Sequence, residues 1–376
     1  MDAPRTTVSE ALAGGRLRID LAALAANWRA LAKRAAPAEC AAVVKADAYG
    51  LGIERAVPAL VAAGCRTFFV ALPGEGVRVR AAAPGAAVYV LNGLFADGLD
   101  ALRRHRLRPV LGTMEDVRRL ADSAPMPAAL HIDTGMTRLG LSVAEAERLA
   151  GDPLRDRLDL RVVMTHFACA DERGHPMTDR QREAFRHVAN LFPGVPRSVG
   201  NSAATLVAGG NGMDLVRPGV ALYGAEAVDD PPLQTVVTLE GRIVQLREAA
   251  AGETVGYGAT RTLARPSRVA IVSVGYADGF PRAAGDGVPL RAVVPKAHGW
   301  LCGRTVPIVG RVSMDLTAYD VTDVADAREG DWLEMFGPHV PVDDVARAAG
   351  TIGYELLTGL SRRVARTYIE PSRAEA

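Results

Sequence analysis

Lysine is scarce in this chain: 44 of its 376 residues are Lys or Arg, yet only three are lysines, Lys33, Lys45 and Lys296. A sequence that meets almost every need for positive charge with arginine has few amines able to deprotonate, because a guanidinium keeps its proton in proteins. Cysteine is also rare, and Cys40, Cys65, Cys169 and Cys302 show no metal-ligand spacing. They read as free thiols, not as a zinc site or a disulfide frame. No apolar run is long enough to span a bilayer. A net charge of +1 gives no reason to expect nucleic acid or a membrane surface as a partner. Residues 1–14 lack a basic start followed by an apolar stretch and read as a flexible tail, so the cytoplasm is the expected compartment. No Gly-x-Gly-x-x-Gly turn follows an early strand, which counts against an open doubly wound sheet.

What is present is a globular composition, 49% apolar and 23% charged, at a length that suits two domains. An amphipathic stretch over 21–36 follows Asp20, a residue suited to cap it. Short apolar runs of strand length then recur at 41–44, 67–71, 87–91, 107–111, 128–132, 161–165, 197–199 and 213–216. Helical patterns such as 114–121, 144–150 and 178–191 lie between them. That alternation predicts a closed (β/α)8 barrel over 15–234. A break is expected at Asp229-Asp230-Pro231-Pro232. Beyond it, runs at 236–246, 268–274, 290–294 and 332–336 are separated by Gly and Pro, with a helical pattern only at 342–349. Residues 235–376 therefore read as a second, mainly β domain.

In such a barrel, chemistry gathers at the C-terminal ends of the strands. Lys45 follows the first run, in Val43-Val44-Lys45-Ala46-Asp47-Ala48-Tyr49-Gly50, and Leu91 ends the third. Asp133-Thr134-Gly135-Met136-Thr137-Arg138-Leu139-Gly140 follows the fifth and His166 the sixth. Asn201-Ser202 and Arg217-Pro218-Gly219-Val220 follow the last two. A buried lysine amine loses basicity and can condense with a carbonyl, as no arginine can. Asn201-Ser202 before an Ala-rich segment reads as a helix N-terminus, where free N–H groups favour an anion. With Tyr49 and Gly219 it makes a phosphate cup.

These residues spell a family. Val43–Gly50 resembles the cofactor-lysine motif of the alanine racemases. Further motifs of that family follow in order: Ile132-Asp133-Thr134-Gly135-Met136-x-Arg138-Leu139-Gly140, Arg217-Pro218-Gly219-Val220-Ala221-Leu222-Tyr223-Gly224, Gly256-Tyr257-Gly258-Ala259, Gly275-Tyr276-Ala277-Asp278-Gly279 and Gly310-Arg311-Val312-Ser313-Met314-Asp315. The resemblance implies a pyridoxal 5'-phosphate enzyme interconverting L- and D-alanine to supply peptidoglycan. It also implies a head-to-tail homodimer whose sites combine one subunit's barrel with the other's β domain. Carried over, Lys45 looks like the cofactor lysine and one base, and Tyr257 like the opposing base from the partner subunit. Tyr49, Ser202, Gly219, Val220 and Tyr354 would hold the phosphate. Arg138 would contact the cofactor's phenolic oxygen and the substrate carboxylate. Leu91 and His166 would line the ring, and Tyr276 and Met314 would border the substrate.

Two further readings rest on chemistry. Inverting a stereocentre needs proton removal on one face and delivery on the other. A free tyrosine has a pKa of about 10, so ionising it at pH 7 costs about 4 kcal/mol, which a nearby cation must offset. Arg217, where a carboxylate would protonate a pyridine nitrogen, can only donate; it favours simple proton exchange over transamination and argues against decarboxylases of similar barrel type. His166 is placed to hold Arg217. Many relatives carry a lysine, sometimes carbamylated, where this chain has His131, and a cysteine is frequent where it has Ser313. A broader amino-acid racemase and a non-enzymatic cofactor carrier on the same barrel are the alternatives. A carrier stops near the barrel's end, whereas this chain continues through Tyr257 and Met314.

Overall fold

A computed structural model describes residues 9–95, 97–208, 213–225, 233–286 and 296–370. The chain divides into two compact units, one Leu24–Leu233 and the other drawn from residues up to Ala23 together with those from Gln234 onward.

Leu24–Leu233 is built on a ring of parallel strands. Glu39–Cys40 and Ala42–Val43 are two halves of one strand, interrupted at Ala41. The first half pairs with Leu215–Val216 and the second with Thr67–Val70, so the sheet closes on itself. Around the ring follow Ala87–Val90, Arg108–Leu111, Pro127–Asp133, Asp159–Met164 and Arg197–Ser198. Parallel strands covered on both faces should be continuously apolar. Thr67–Val70 is buried at all four positions, and Pro127–Asp133 at its five central ones. The expected eight-strand barrel is thus the fold, its last two strands cut to two residues each. Helices cover the outside by their apolar stripes. Met114–Ala121 is capped by Thr113, whose Oγ1 accepts from Asp116 N at 3.0 Å, and buries Val117, Leu120 and Ala121. Pro176–Ala189 buries Gln181, Phe185, Val188 and Ala189 on one face.

The second unit is mainly β. Its longest strand, Val237–Ala249, pairs antiparallel with Gly15–Asp20, Ser267–Val272 and Trp332–Phe336. Gly15–Asp20 also runs parallel to Ala365–Ile369. The segment from Gly15 to Ala23 therefore groups with the β unit, not with the barrel where the sequence puts it. The reason is visible in the strand: Leu17 and Ile19 are fully buried while Arg18 between them is exposed, the alternation of a half-covered antiparallel sheet. Residues 9–14 are also held, since Arg242 donates from its backbone N to Gly14 O at 2.7 Å and from Nη2 to Glu10 O at 3.1 Å. The rest of the expected tail (1–8), the break at 229–232 and the run 290–294 lie outside the described residues. The helix expected at 342–349 is Val342–Ala348, and a second, Gly353–Gly359, follows it. Among the described residues no helix is long and apolar enough to cross a membrane, and no cluster of His, Cys, Asp and Glu suits a metal ion. All four cysteines are free thiols.

Candidate active site

Lys45 leaves the end of the first barrel strand and opens a turn of unusual hand. Ala46, Asp47, Ala48 and Tyr49 all have positive φ, between 53° and 59°, before Gly50 at 85°. Left-handed backbone costs an ordinary residue about 1–2 kcal/mol, so the turn needs outside support. Glu75 supplies it, its Oε1 accepting from Asp47 N at 3.2 Å and its Oε2 from Ala71 N and Leu72 N at 3.0 and 3.1 Å. Asp47 Oδ1 accepts from Ile53 N at 3.1 Å and pairs with Arg78. Burial, and then the Arg138 guanidinium, hold the Lys45 amine below its ordinary pKa, with Glu75 opposing. Such an amine deprotonates more readily than a solvated one.

The turn delivers Tyr49 to the anion cup. Its ring stacks on Tyr223 at 4.5 Å between centroids, and Tyr223 Oη donates to Val43 O at 3.0 Å. A Cβ placed on Gly219 would lie 2.4 Å from Tyr49 Oη, so only glycine lets that hydroxyl approach the backbone. Ser202 Oγ accepts from Gly219 N at 2.8 Å and Ala221 N at 3.3 Å, leaving its own O–H to donate. Asn201 Oδ1 caps the same helix by accepting from Ala204 N at 3.0 Å. Val220, 1% exposed, opens the short 3-10 turn Val220–Tyr223. Two hydroxyls in one cradle, with a glycine that leaves room beside them, suit a phosphate ester.

Arg217, 4% exposed, donates to Ser198 Oγ, to Thr165 O at 2.7 Å and to His166 Nδ1 at 3.4 Å. Burial brings its pKa down to about 10, still a cation at neutral pH. Burial, followed by Arg217, pushes His166 down to about 3 and His131 down to about 4, so both imidazoles stay neutral. Arg138 stands exposed on a loop gathered by Asp133 Oδ1, which accepts from the N–H groups of Gly135, Met136 and Thr137 at 2.8, 2.9 and 3.1 Å. Leu91 is half-buried where Ala87–Val90 ends. The barrel unit therefore holds Lys45, Tyr49, Leu91, Arg138, His166, Asn201, Ser202, Arg217, Gly219 and Val220 at strand ends or in the loops just past them.

The β unit holds the others. Tyr257, 72% exposed, sits between Gly256 and Gly258, both at φ 74°. It lines a cavity of about 290 Å³ with Tyr276, Arg282, Arg311, Val312 and Ser313. Tyr276 N donates to Ser313 O at 3.0 Å and Ala277 N to Met314 O at 2.9 Å, which sets Met314 beside Tyr276. Tyr354 lies on Gly353–Gly359 of this unit, 37% exposed. Reasoning from sequence missed Glu75, Tyr223, Gln181 and Arg311. For Gln181 a signal existed: it is the polar residue on the stripe that carries Phe185 and Val188.

A parallel barrel with one cofactor-type lysine beside a phosphate cup defines a pyridoxal-phosphate type of active site. Comparison with known proteins specifies which. The family described as alanine racemase, N-terminal domain, matches residues 19–227, and that described as alanine racemase, C-terminal domain, matches 236–368. Alanine racemase of Rhizobium meliloti (strain 1021) is 49% identical over 368 residues, covering 95% of this chain and 97% of the relative. The biosynthetic alanine racemase of Agrobacterium fabrum (strain C58 / ATCC 33970) is also 49% identical, over 94% of this chain and 93% of its own. A crystal structure of alanine racemase from Bartonella henselae with covalently bound pyridoxal phosphate superposes with a TM-score of 0.87 at 35% identity, covering 95% of this chain and all of that one. The chain belongs to the alanine racemase family.

Proposed function

We propose that Lys45 and Tyr257 are the two proton-transferring groups of this enzyme, acting on opposite faces of the substrate. The reaction is the interconversion of L- and D-alanine, and the cofactor is pyridoxal phosphate. When bound, that cofactor supplies an aldehyde to condense with an amine and an electron-poor ring that eases loss of the α-proton. The residues present suit it. Tyr49 and Ser202 offer hydroxyls to the phosphate in a cradle that a Cβ at 219 would fill. The single observation that carries the assignment of bases is Lys45 itself, an amine of lowered basicity four residues from that cradle.

Lys45 Nζ takes the proton from one face and returns it in the reverse direction. Tyr257 Oη does the same on the other face, with Arg311 and Arg282 beside it in their cavity as the cations able to offset phenolate formation. Arg138 would grip the substrate carboxylate, and Arg217, which can only donate, would leave a pyridine nitrogen beside it unprotonated. Electron withdrawal is then limited, which favours return of the proton over transamination.

Tyr257, Tyr276, Met314 and Ile352 leave large apolar surfaces exposed on the β unit, at 72, 42, 53 and 59%. Exposed apolar groups of this size call for a cover. In our reading the barrel mouth of a second copy provides it. The enzyme acts in the cytoplasm as a homodimer and supplies D-alanine for peptidoglycan.

Purified holoenzyme should bring the optical rotation of L-alanine to zero, with equal D-alanine on chiral chromatography. Tyr257→Phe should retain its cofactor and lose about 10³-fold or more in kcat, in the range of losing a general acid–base group. A Tyr257→Phe variant with wild-type turnover would remove Tyr257 from the chemistry.

A further inference from the structure

We infer that Gln181, a residue of the covering helix Pro176–Ala189, is a positioning residue for racemisation: it clamps the loop that carries Arg138 to the strand end that carries His166 and Arg217's carbonyl anchor. The inference rests on the assignment of Arg138 and Arg217 to substrate and cofactor given above.

Gln181 has 0% exposure, an uncommon state for an amide side chain. Its Nε2 donates to His166 O at 2.9 Å and to Thr134 Oγ1 at 3.3 Å, and its Oε1 accepts from Ala168 N at 2.8 Å. One side chain thus bonds both the residue after Asp133 and the segment just past Asp159–Met164. The bridge continues inward. Thr134 Oγ1 lies 2.8 Å from Thr165 Oγ1, and Thr165 O accepts from Arg217 Nη2 at 2.7 Å. Polar contacts therefore run from the outer helix through Gln181 and Thr134 to the hydroxyl of Thr165, whose own carbonyl holds the buried guanidinium.

The same helix grips the Arg138 loop a second time. Gly135 has φ 135°, and a Cβ there would lie 2.6 Å from Met177 Cε. Thr178 Oγ1 donates to Cys169 O at 3.0 Å, tying the first turn of the helix to the loop beyond His166. Arg138 itself is exposed, three residues past Gly135, so its placement depends on what holds the loop's base. An apolar residue at 181 would suit the buried face that carries Phe185 and Val188 but would leave the loops unlinked. The amide is what joins them.

The test uses holoenzyme. Gln181→Met keeps the volume and removes both donors and the acceptor; Thr134→Val breaks the same chain from the loop side; Thr134→Ser keeps its hydroxyl. A misplacement of about 1 Å can cost on the order of 10²-fold in rate. Gln181→Met and Thr134→Val should each lower kcat/KM for L-alanine about 10- to 100-fold, chiefly through KM, with cofactor retained, while Thr134→Ser stays near wild type. Added to Arg138→Lys, Gln181→Met should cost little more, because the positioned group is already impaired. Wild-type kcat and KM in Gln181→Met and Thr134→Val, with only a lowered melting temperature, would overturn the inference and leave the site assignment standing. An unchanged KM in Arg138→Lys alone would instead sink the assignment on which it rests.

Discussion

Gly219→Ala isolates the closeness of the phosphate cup from everything else in the site. Gly219 has φ −121°, outside the left-handed region, and a Cβ there would meet the side chain of Tyr49. The new Cβ would sit 2.4 Å from Tyr49 Oη and 3.2 Å from Cζ. Ordinary van der Waals contact begins near 3.4 Å, so the hydroxyl must withdraw by about 1 Å, a shift that costs on the order of 10²-fold where geometry matters. Tyr49 is 5% exposed and stacked on Tyr223, which is itself tied to Val43 O, so it has little room to withdraw. Overpacking of this kind typically costs 1–3 kcal/mol, or about 5- to 150-fold in the unfolding equilibrium of cofactor-free protein. Affinity for pyridoxal phosphate, measured by equilibrium dialysis, should fall about tenfold or more with it. Combining Gly219→Ala with Tyr49→Phe removes the clashing oxygen and leaves only the 3.2 Å contact. The pair should then regain much of the lost stability without regaining affinity. Wild-type affinity and wild-type denaturation in Gly219→Ala would refute the reasoning, since the crowding read from the backbone would not exist.

Lys45→Arg should fold and keep the local charge but fail to bind pyridoxal phosphate covalently, so that borohydride treatment fixes no cofactor to the chain and racemisation is lost. Acid should destabilise the barrel through its two neutral imidazoles. Their pKa values, about 4 for His131 and about 3 for His166 against 6.5 unperturbed, mean that unfolding takes up protons. Stability is then full above pH 6.5 and falls as pH drops toward those folded values, by about 3 kcal/mol per histidine at pH 4. Urea denaturation at pH 7 and pH 4 should show a smaller loss in His131→Asn than in wild type. Equal losses would mean that His131 is not held neutral in the fold.

The barrel was legible because fully covered parallel strands must be apolar at consecutive positions, and runs such as 67–71 and 128–132 cannot be mistaken for amphipathic helix of the same length. Lys45 was legible for the opposite reason, as a rare residue type at the one place where its chemistry differs from arginine's. The left-handed turn after it was not. Ala46-Asp47-Ala48-Tyr49 contains no glycine, and its conformation is imposed by Glu75 from 26 or more residues away in sequence. Long-range support of that kind leaves no local signature. Gly15–Asp20 was misplaced because its partners, Val237–Ala249 and Ala365–Ile369, lie more than two hundred residues further on.

The electrostatics at the barrel mouth follow from what the acids there are doing. Glu75 spends both oxygens on three backbone N–H groups, and Asp133 Oδ1 accepts three more. Each keeps its negative charge while doing so, and Glu75 acts on Lys45 through space, opposing the lowering of its pKa. Burial meanwhile keeps His131 and His166 uncharged, which concentrates the positive charge in Lys45, Arg138 and Arg217 instead of spreading it over five groups. A neutral His166 can accept from Arg217, as a protonated one could not, so the same desolvation that silences the imidazole also fixes the guanidinium's direction. The excess of cations suits the anions of a phosphorylated cofactor and an amino-acid carboxylate. Carboxylates that accept from the backbone thus hold the loops at the barrel mouth in shape, while the cations gathered there suit anionic ligands.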